Sequence, residues 1–239
     1  MIKRLCVNVD TLITDISIRT TTWNHWDVNI APIVSRLKQG MNKIFETTHV
    51  TQTGPRSVKE LIDLIGDGET PEYIFFWGHS SREPHPGCFS NWFPLKFEYN
   101  GLDYPSAEHF MMMEKARCFG DNHMLAKMNT GRLTRAHPGH VKALGRQVRN
   151  FDQDVWEAHI WEPMVDALVN KFSQHDEFME YILSTGDAVL VEASPYDRVW
   201  GIGMLDSDEG INDPRNWKGR NLLGFVLMEA RDIIRTMEV

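Results

Sequence analysis

Two hydrophobic periods alternate along this chain, and the places where one gives way to the other mark its elements. Leu5 to Ile18 alternates β-branched and polar residues, which predicts short strands. Pro32 to Phe45 carries Ile33, Leu37, Met41 and Ile44 at helical spacing. A threonine-rich linker, Thr47 to Pro55, follows. Ser57-Val58-Lys59-Glu60 has the pattern of a capping box for a short helix through Ile65, stopped by Gly66 and Gly68. These elements predict a small α/β extension over residues 1–70, ahead of a main domain over residues 71–239.

The main domain opens with an aromatic strand, Tyr73 to Trp77, and a polar loop, His79 to Gly87. Asn100-Gly101 between two alternating runs predicts a β-hairpin, because both residues tolerate the positive φ that a tight hairpin turn demands. The hairpin feeds a helix in whose first turn Pro105 is expected. Glu108, Met111, Met112 and Lys115 share one face of that helix. Short helices are expected from His123 and from Pro138. A longer one is expected from Asp152 to Phe172, kinked or restarted at Pro163. Ser173 to Asp176 resembles a cap for another helix ending at Gly186. A short apolar strand, Ala188 to Val191, leads into Glu192, and Asn221 to Ile234 closes the chain as a helix. Strands and helices do not alternate regularly, so the fold class is α+β, mainly helical with a few short strands.

Composition narrows the function classes. The chain has 239 residues and a net charge of -8, which argues against nucleic-acid binding by the whole surface. A site for a polyanion has to be a local basic patch. The three cysteines, Cys6, Cys88 and Cys118, are too scattered for a disulfide framework, and a reducing, cytoplasmic compartment is expected. No run is long and apolar enough to span a bilayer, so no membrane partner is expected.

Three stretches carry candidate chemistry. Asn122 to Phe151 holds no acidic residue but contains Lys127, Arg132, Arg135, Lys142, Arg146 and Arg149, which suits an anion such as phosphate. Arg146, between Leu144-Gly145 and Gln147-Val148, is expected to be partly buried and is the leading phosphate contact. Lys171 lies beside an apolar stripe, where a lysine holds its free amine more readily and suits imine chemistry. Glu192 ends a strand and is followed by Asp197 and Trp200-Gly201-Ile202-Gly203, whose glycines would let backbone approach a ligand. Loop tryptophans offer faces for a flat base. His79, His85 and Cys88, or His137 and His140, lack any paired zinc spacing, so no metal and no cofactor is expected. Serine-hydrolase and P-loop signatures are absent.

As an ordered set these residues resemble the NADAR family of YbiA-like N-glycosidases. The matching pieces are Phe89-Ser90-Asn91-Trp92-Phe93-Pro94, Tyr104-Pro105-Ser106-Ala107-Glu108-His109-Phe110, Leu144-Gly145-Arg146 and Lys171-Phe172. They continue with Thr185-Gly186, Glu192-Ala193-Ser194, Asp197 with Trp200-Gly201, and Gly219-Arg220-Asn221-Leu222-Leu223-Gly224. The resemblance covers about residues 73 to 235 and leaves residues 1–70 without a role. It implies hydrolysis of the bond between ribose C1 and an exocyclic base amine. The substrate would be ADP-ribose on guanine in nucleic acid, or a phosphorylated ribosylamino-pyrimidine of riboflavin synthesis. A non-catalytic ADP-ribose-binding module is the remaining alternative. In this reading Glu108 shuttles protons and Lys171 or Lys115, with Lys171 favoured, takes C1 as an imine. Asp197 and Glu192 orient ribose hydroxyls, and Asn91 and Arg146 hold ribose and phosphate. Trp92, Trp200, Gly201 and Asn221 complete the substrate site. The alternative chemistry is direct attack of water, with Glu108 as base.

Overall fold

The structure is a computed structural model that describes residues 54–79, 83–130 and 137–237. The strands and helix expected between Leu5 and Phe45, and Arg132 and Arg135 of the basic stretch, lie outside the described residues.

Helix α1 (Val58–Gly66) starts where the capping pattern places it, with the Ser57 hydroxyl accepting from the Glu60 amide. It buries Leu61 completely. Strand β1 (Tyr73–Phe76) follows, and a 3-10 turn over Pro86–Phe89 leads to the hairpin of β2 (Phe97–Tyr99) and β3 (Leu102–Tyr104). Asn100 and Gly101 both take positive φ at 52° and 74°, the geometry that joins two twisted strands in two residues.

Helix α2 (Ala107–Cys118) is the centre of the domain. It is buried nearly all round rather than on one face: Ala107 through Met113 are all below a tenth exposed. Pro105 stands before the helix, not in its first turn, because Ser106 is the residue in extended conformation at its start. The Ser106 hydroxyl makes no capping bond and pairs instead with His109 Nδ1 at 2.8 Å. The hairpin grips the same end: Phe110 packs on Phe97, Tyr99 and Tyr104 with ring centroids 5.1–6.3 Å apart. Burying such a ring stabilises by about 1.5–3 kcal/mol.

Helices α3 (Asn122–Met128) and α4 (Pro138–Gly145) follow. Gly145 lets α4 approach α2, since a Cβ there would collide with the Met112 side chain. The long helix expected from Asp152 is two, α5 (Gln153–His159) and α6 (Trp161–Ser173), parted at Ile160. Pro163 sits in the first turn of α6, where a missing N–H is tolerated. Helix α7 (Asp176–Ser184) begins after His175, and Ser173 belongs to α6 rather than to a cap.

Strand β4 (Val189–Glu192) pairs in parallel with β1, with Phe76 opposite Glu192. Helix α8 (Leu222–Met237) closes the chain across β4. Gly224 permits this, because any side chain there would strike the Leu190 carbonyl.

Candidate active site

The candidate side chains come from four places: the loop after the 3-10 turn, helix α2, helix α4, and the end of β4 with the loop beyond it. Glu108 lies in the first turn of α2 and is 1% exposed. Its amide donates to the Asn91 carbonyl at 2.8 Å, which ties the loop to the helix start. Burial pushes the Glu108 carboxyl up to about 7. Lys142, a hydrogen bond from the Trp92 side chain and Arg146 pull the other way, while Asp197 adds to the rise. Glu192 is pushed up to about 8, by burial first and then by the neighbouring charges of Asp197 and Glu108, against Lys142.

The acceptors in this cluster are short of donors. Glu108 Oε1, Glu192 Oε2 and Asn91 Oδ1 are each buried without a hydrogen-bond partner. An unpaired buried polar atom costs roughly 1–3 kcal/mol, and such atoms are normally completed by ordered water, an ion or a ligand. A cavity of about 220 Å³ lies alongside, lined by Met111, Met112, Lys115, Lys142, Asp197 and Trp200, among others. Lys115 is half-buried with Nζ 3.6 Å from the Phe151 ring centroid, and burial lowers its pKa. Lys142 Nζ sits 5.6 Å from the Trp92 ring centroid.

Asp197 caps its own turn, accepting at Oδ1 from Val199 N at 2.9 Å and Trp200 N at 2.8 Å. The end of β4 is held on several sides. Asn221, fully buried at φ 51°, accepts from Glu192 N at 3.0 Å and donates to Leu190 O at 2.9 Å. Ile202 N donates to Glu192 O at 2.9 Å, and a Cβ on Gly201 would lie 2.8 Å from that carbonyl. The close approach that Gly201 permits is therefore to the backbone of β4. Asn221 uses its amide in the same way, holding Glu192 in place.

Lys171 stands apart from the cavity. It is 0% exposed, and its ammonium donates to Cys88 O at 2.7 Å and Ser90 O at 3.0 Å. The Phe172 and Phe93 rings lie 5.0 and 5.9 Å from it, and burial lowers its pKa to about 8. The residues that sequence reasoning brought forward for one pocket thus fall into two groups. One group is at or beside the cavity, where Asp197, Lys115 and Trp200 line it and Glu108, Glu192, Asn91 and Trp92 cluster next to it, whereas Lys171 lies beneath the loop that carries Asn91 and Trp92.

The basic stretch also divides. Arg146 is exposed rather than partly buried, because it is the residue after the last turn of α4. Arg149 is committed to Asp121, donating from both its backbone and its guanidinium at 2.8–3.2 Å and holding that carboxyl well below the ordinary range. Lys127 is exposed. Among the described cations of the run, Lys142 is the one that lines the cavity. Its special position was hidden in the sequence, and the available signal was Gly145 three residues on, whose small size brings α4 against α2.

Among the described residues no three His, Cys, Asp or Glu side chains gather to hold a metal ion. His79, His137 and Trp92 form a ring cluster with centroids 5.4–5.9 Å apart. Among the described residues no helix is long and apolar enough to cross a membrane.

The NADAR domain profile matches residues 75–235, which takes in every element that builds the cavity. The chain belongs to the NADAR family. It is 41% identical over 170 residues to an N-glycosidase of Acanthamoeba polyphaga mimivirus, covering 69% of this chain and 97% of that protein. An N-glycosidase of Nostoc punctiforme is 32% identical over 152 residues, covering 63% of this chain and 87% of the relative. The NMR structure of the Escherichia coli protein YbiA superposes with a TM-score of 0.55 at 28% identity, covering 71% of this chain and 89% of that one. The α+β, mainly helical fold expected from the sequence is thus the fold of a NADAR protein.

Proposed function

We propose that this chain is an N-glycosidase that hydrolyses the bond between ribose C1 and an exocyclic base amine, with ADP-ribose on guanine in nucleic acid as its substrate. The observation that carries this reading is the set of three unpartnered buried acceptors, Glu108 Oε1, Glu192 Oε2 and Asn91 Oδ1, beside a cavity holding two lysines. Ribose hydroxyls and a base amine are donors, so such a substrate supplies what these oxygens lack. The relatives named N-glycosidases support the reaction class.

In the proposed chemistry a ribosylamine opens its ring to an imine, which an amine can take over at C1. Lys115 is the lysine placed for this, since its half-buried amine lines the cavity. The Lys171 amine is held by two carbonyls instead. The lysine nitrogen adds to C1 of the imine, whose π pair passes to the base nitrogen. Once a proton has moved from the lysine nitrogen to the base nitrogen, the remaining C1–N bond breaks, its pair leaves with the base amine, and the lysine lone pair closes a new C1=N imine. Water then releases the sugar. Glu108, with a pKa near neutrality, suits proton transfer in both directions at physiological pH. Glu192, pushed up to about 8, can donate from its protonated form to the departing nitrogen and accept from the sugar once ionised. Trp92 and Trp200 flank the site for the base, and Lys142 answers the phosphate.

The test is incubation with a guanine-ADP-ribosylated oligonucleotide and, separately, with a phosphorylated ribosylamino-pyrimidine. Release of free ADP-ribose from the first supports the proposal. Turnover of the pyrimidine alone would replace the substrate, and turnover of neither would remove the reading.

A further inference from the structure

Two aromatic side chains stand in solvent beside this site. Trp77 is 53% exposed and Tyr196 is 88% exposed, with ring centroids 6.2 Å apart and planes at 53°. Each is attached to the site's frame. Trp77 follows Phe76, the residue paired with Glu192, and Tyr196 precedes Asp197, which lines the cavity. Trp217 shows what a structural tryptophan does in this protein: it is buried, and its Nε1 donates to Ile211 O at 2.6 Å. Trp77 and Tyr196 have no comparable enclosure. An exposed pair of large rings is the informative exception on a protein surface.

We propose that Trp77 and Tyr196 form a stacking platform for an unpaired nucleobase neighbouring the one whose glycosidic bond is cut, so that the substrate is single-stranded nucleic acid. This rests on the N-glycosidase reading above and deepens it. Aromatic faces stack on any base, and such stacking tolerates sequence. Arg198, exposed and two residues past Tyr196, adds to the same loop a guanidinium of the kind that suits a phosphate. The chain's net charge of -8 gives a polyanion no general attraction, so local contacts such as this stacking have to add to any basic patch in holding the strand. A small-molecule substrate ends at its own base and phosphate and leaves the platform idle.

The experiment compares a guanine-ADP-ribosylated single-stranded oligonucleotide with ADP-ribosylated guanosine, using wild type, Trp77→Ala and Tyr196→Ala. Both residues are exposed, so the variants are expected to fold. The expected result is a KM for the oligonucleotide raised about tenfold by each substitution, with kcat/KM for the nucleoside within about twofold of wild type. Equal losses on both substrates, or an unchanged KM for the oligonucleotide, would overturn the platform. A second measurement needs no turnover: binding of unmodified oligothymidylate followed by fluorescence anisotropy, expected to weaken about tenfold in each variant. If wild type cleaves neither substrate yet shows this Trp77-dependent binding, the N-glycosidase reading fails and the platform stands. If cleavage proceeds and the variants bind oligothymidylate like wild type, the platform fails alone.

Discussion

The Lys171 ammonium donates to the carbonyl of Ser90 at 3.0 Å, joining residues 81 apart in the chain. It also holds Cys88 O at 2.7 Å, so one side chain secures two carbonyls where the turn leads into Asn91. Asn91 in turn accepts from the amide of Glu108. A buried cation thereby fixes the loop that fixes the acid.

Lys171→Met is expected to destabilise the fold by roughly 2–4 kcal/mol, because two buried carbonyls lose their donor. Thermal or urea unfolding measures this. Borohydride trapping separates the two lysines. Lys171→Met retains a trappable adduct, whereas Lys115→Met keeps its stability and traps nothing. Loss of the adduct only in the Lys171 variant would return the nucleophile's role to Lys171.

Glu108→Gln is expected to reduce kcat by about 10²–10⁴-fold, the usual worth of a positioned general acid–base. The amide keeps the size of the carboxyl, so circular dichroism and the melting temperature should not fall. Activity within tenfold of wild type would remove Glu108 from the chemistry.

The raised carboxyl pKa values have a thermodynamic sign. In the unfolded chain a glutamate ionises near 4.3, while folded Glu108 keeps its proton to about 7 and Glu192 to about 8. Between those limits the folded state binds more protons, so both groups lower stability as pH rises. The Glu108 contribution is roughly 4 kcal/mol once both states are ionised. Glu108→Gln should therefore raise the melting temperature relative to wild type more at pH 8.5 than at pH 5. An equal gain at both values would contradict the placement of a desolvated carboxyl at this position.

Gly219→Ala tests the frame around Asp197. A Cβ there lies 2.8 Å from Arg198 Cα and 2.9 Å from its carbonyl oxygen, and it also strikes the Gly201 carbonyl. Backbone cannot yield as a side-chain tip does, so the loop has to shift. The expected outcome is a loss of about 1–3 kcal/mol, together with a fall in kcat. Wild-type kcat in a folded variant would show that Asp197 tolerates movement.

Much of this was legible in the sequence because it depends on local rules. Asn100-Gly101 gave away the hairpin through φ preference alone, and Ser57 and Asp152 marked helix starts through their capping oxygens. The family motifs brought Glu108, Glu192 and Asp197 forward together. Non-local facts were hidden. Nothing in Pro105-Ser106 says that the serine, by bonding His109, moves the helix start past the proline. Arg149 reads as a free phosphate ligand until Asp121, 28 residues earlier, is seen to hold it. Apolar neighbours along α6 suggested a reactive Lys171, but they could not reveal the two carbonyls supplied from another part of the chain.

The parallel pairing of Phe76 with Glu192 carries one more consequence. Its two strands are separated in sequence by the hairpin and helices α2 to α7, so loop closure has to precede any gain from that ladder. As the polypeptide leaves the ribosome, α2 and the hairpin can settle early. The cleft proposed as the active site needs β4 and the Asn221 turn, so a nascent chain cut short before them is expected to lack activity.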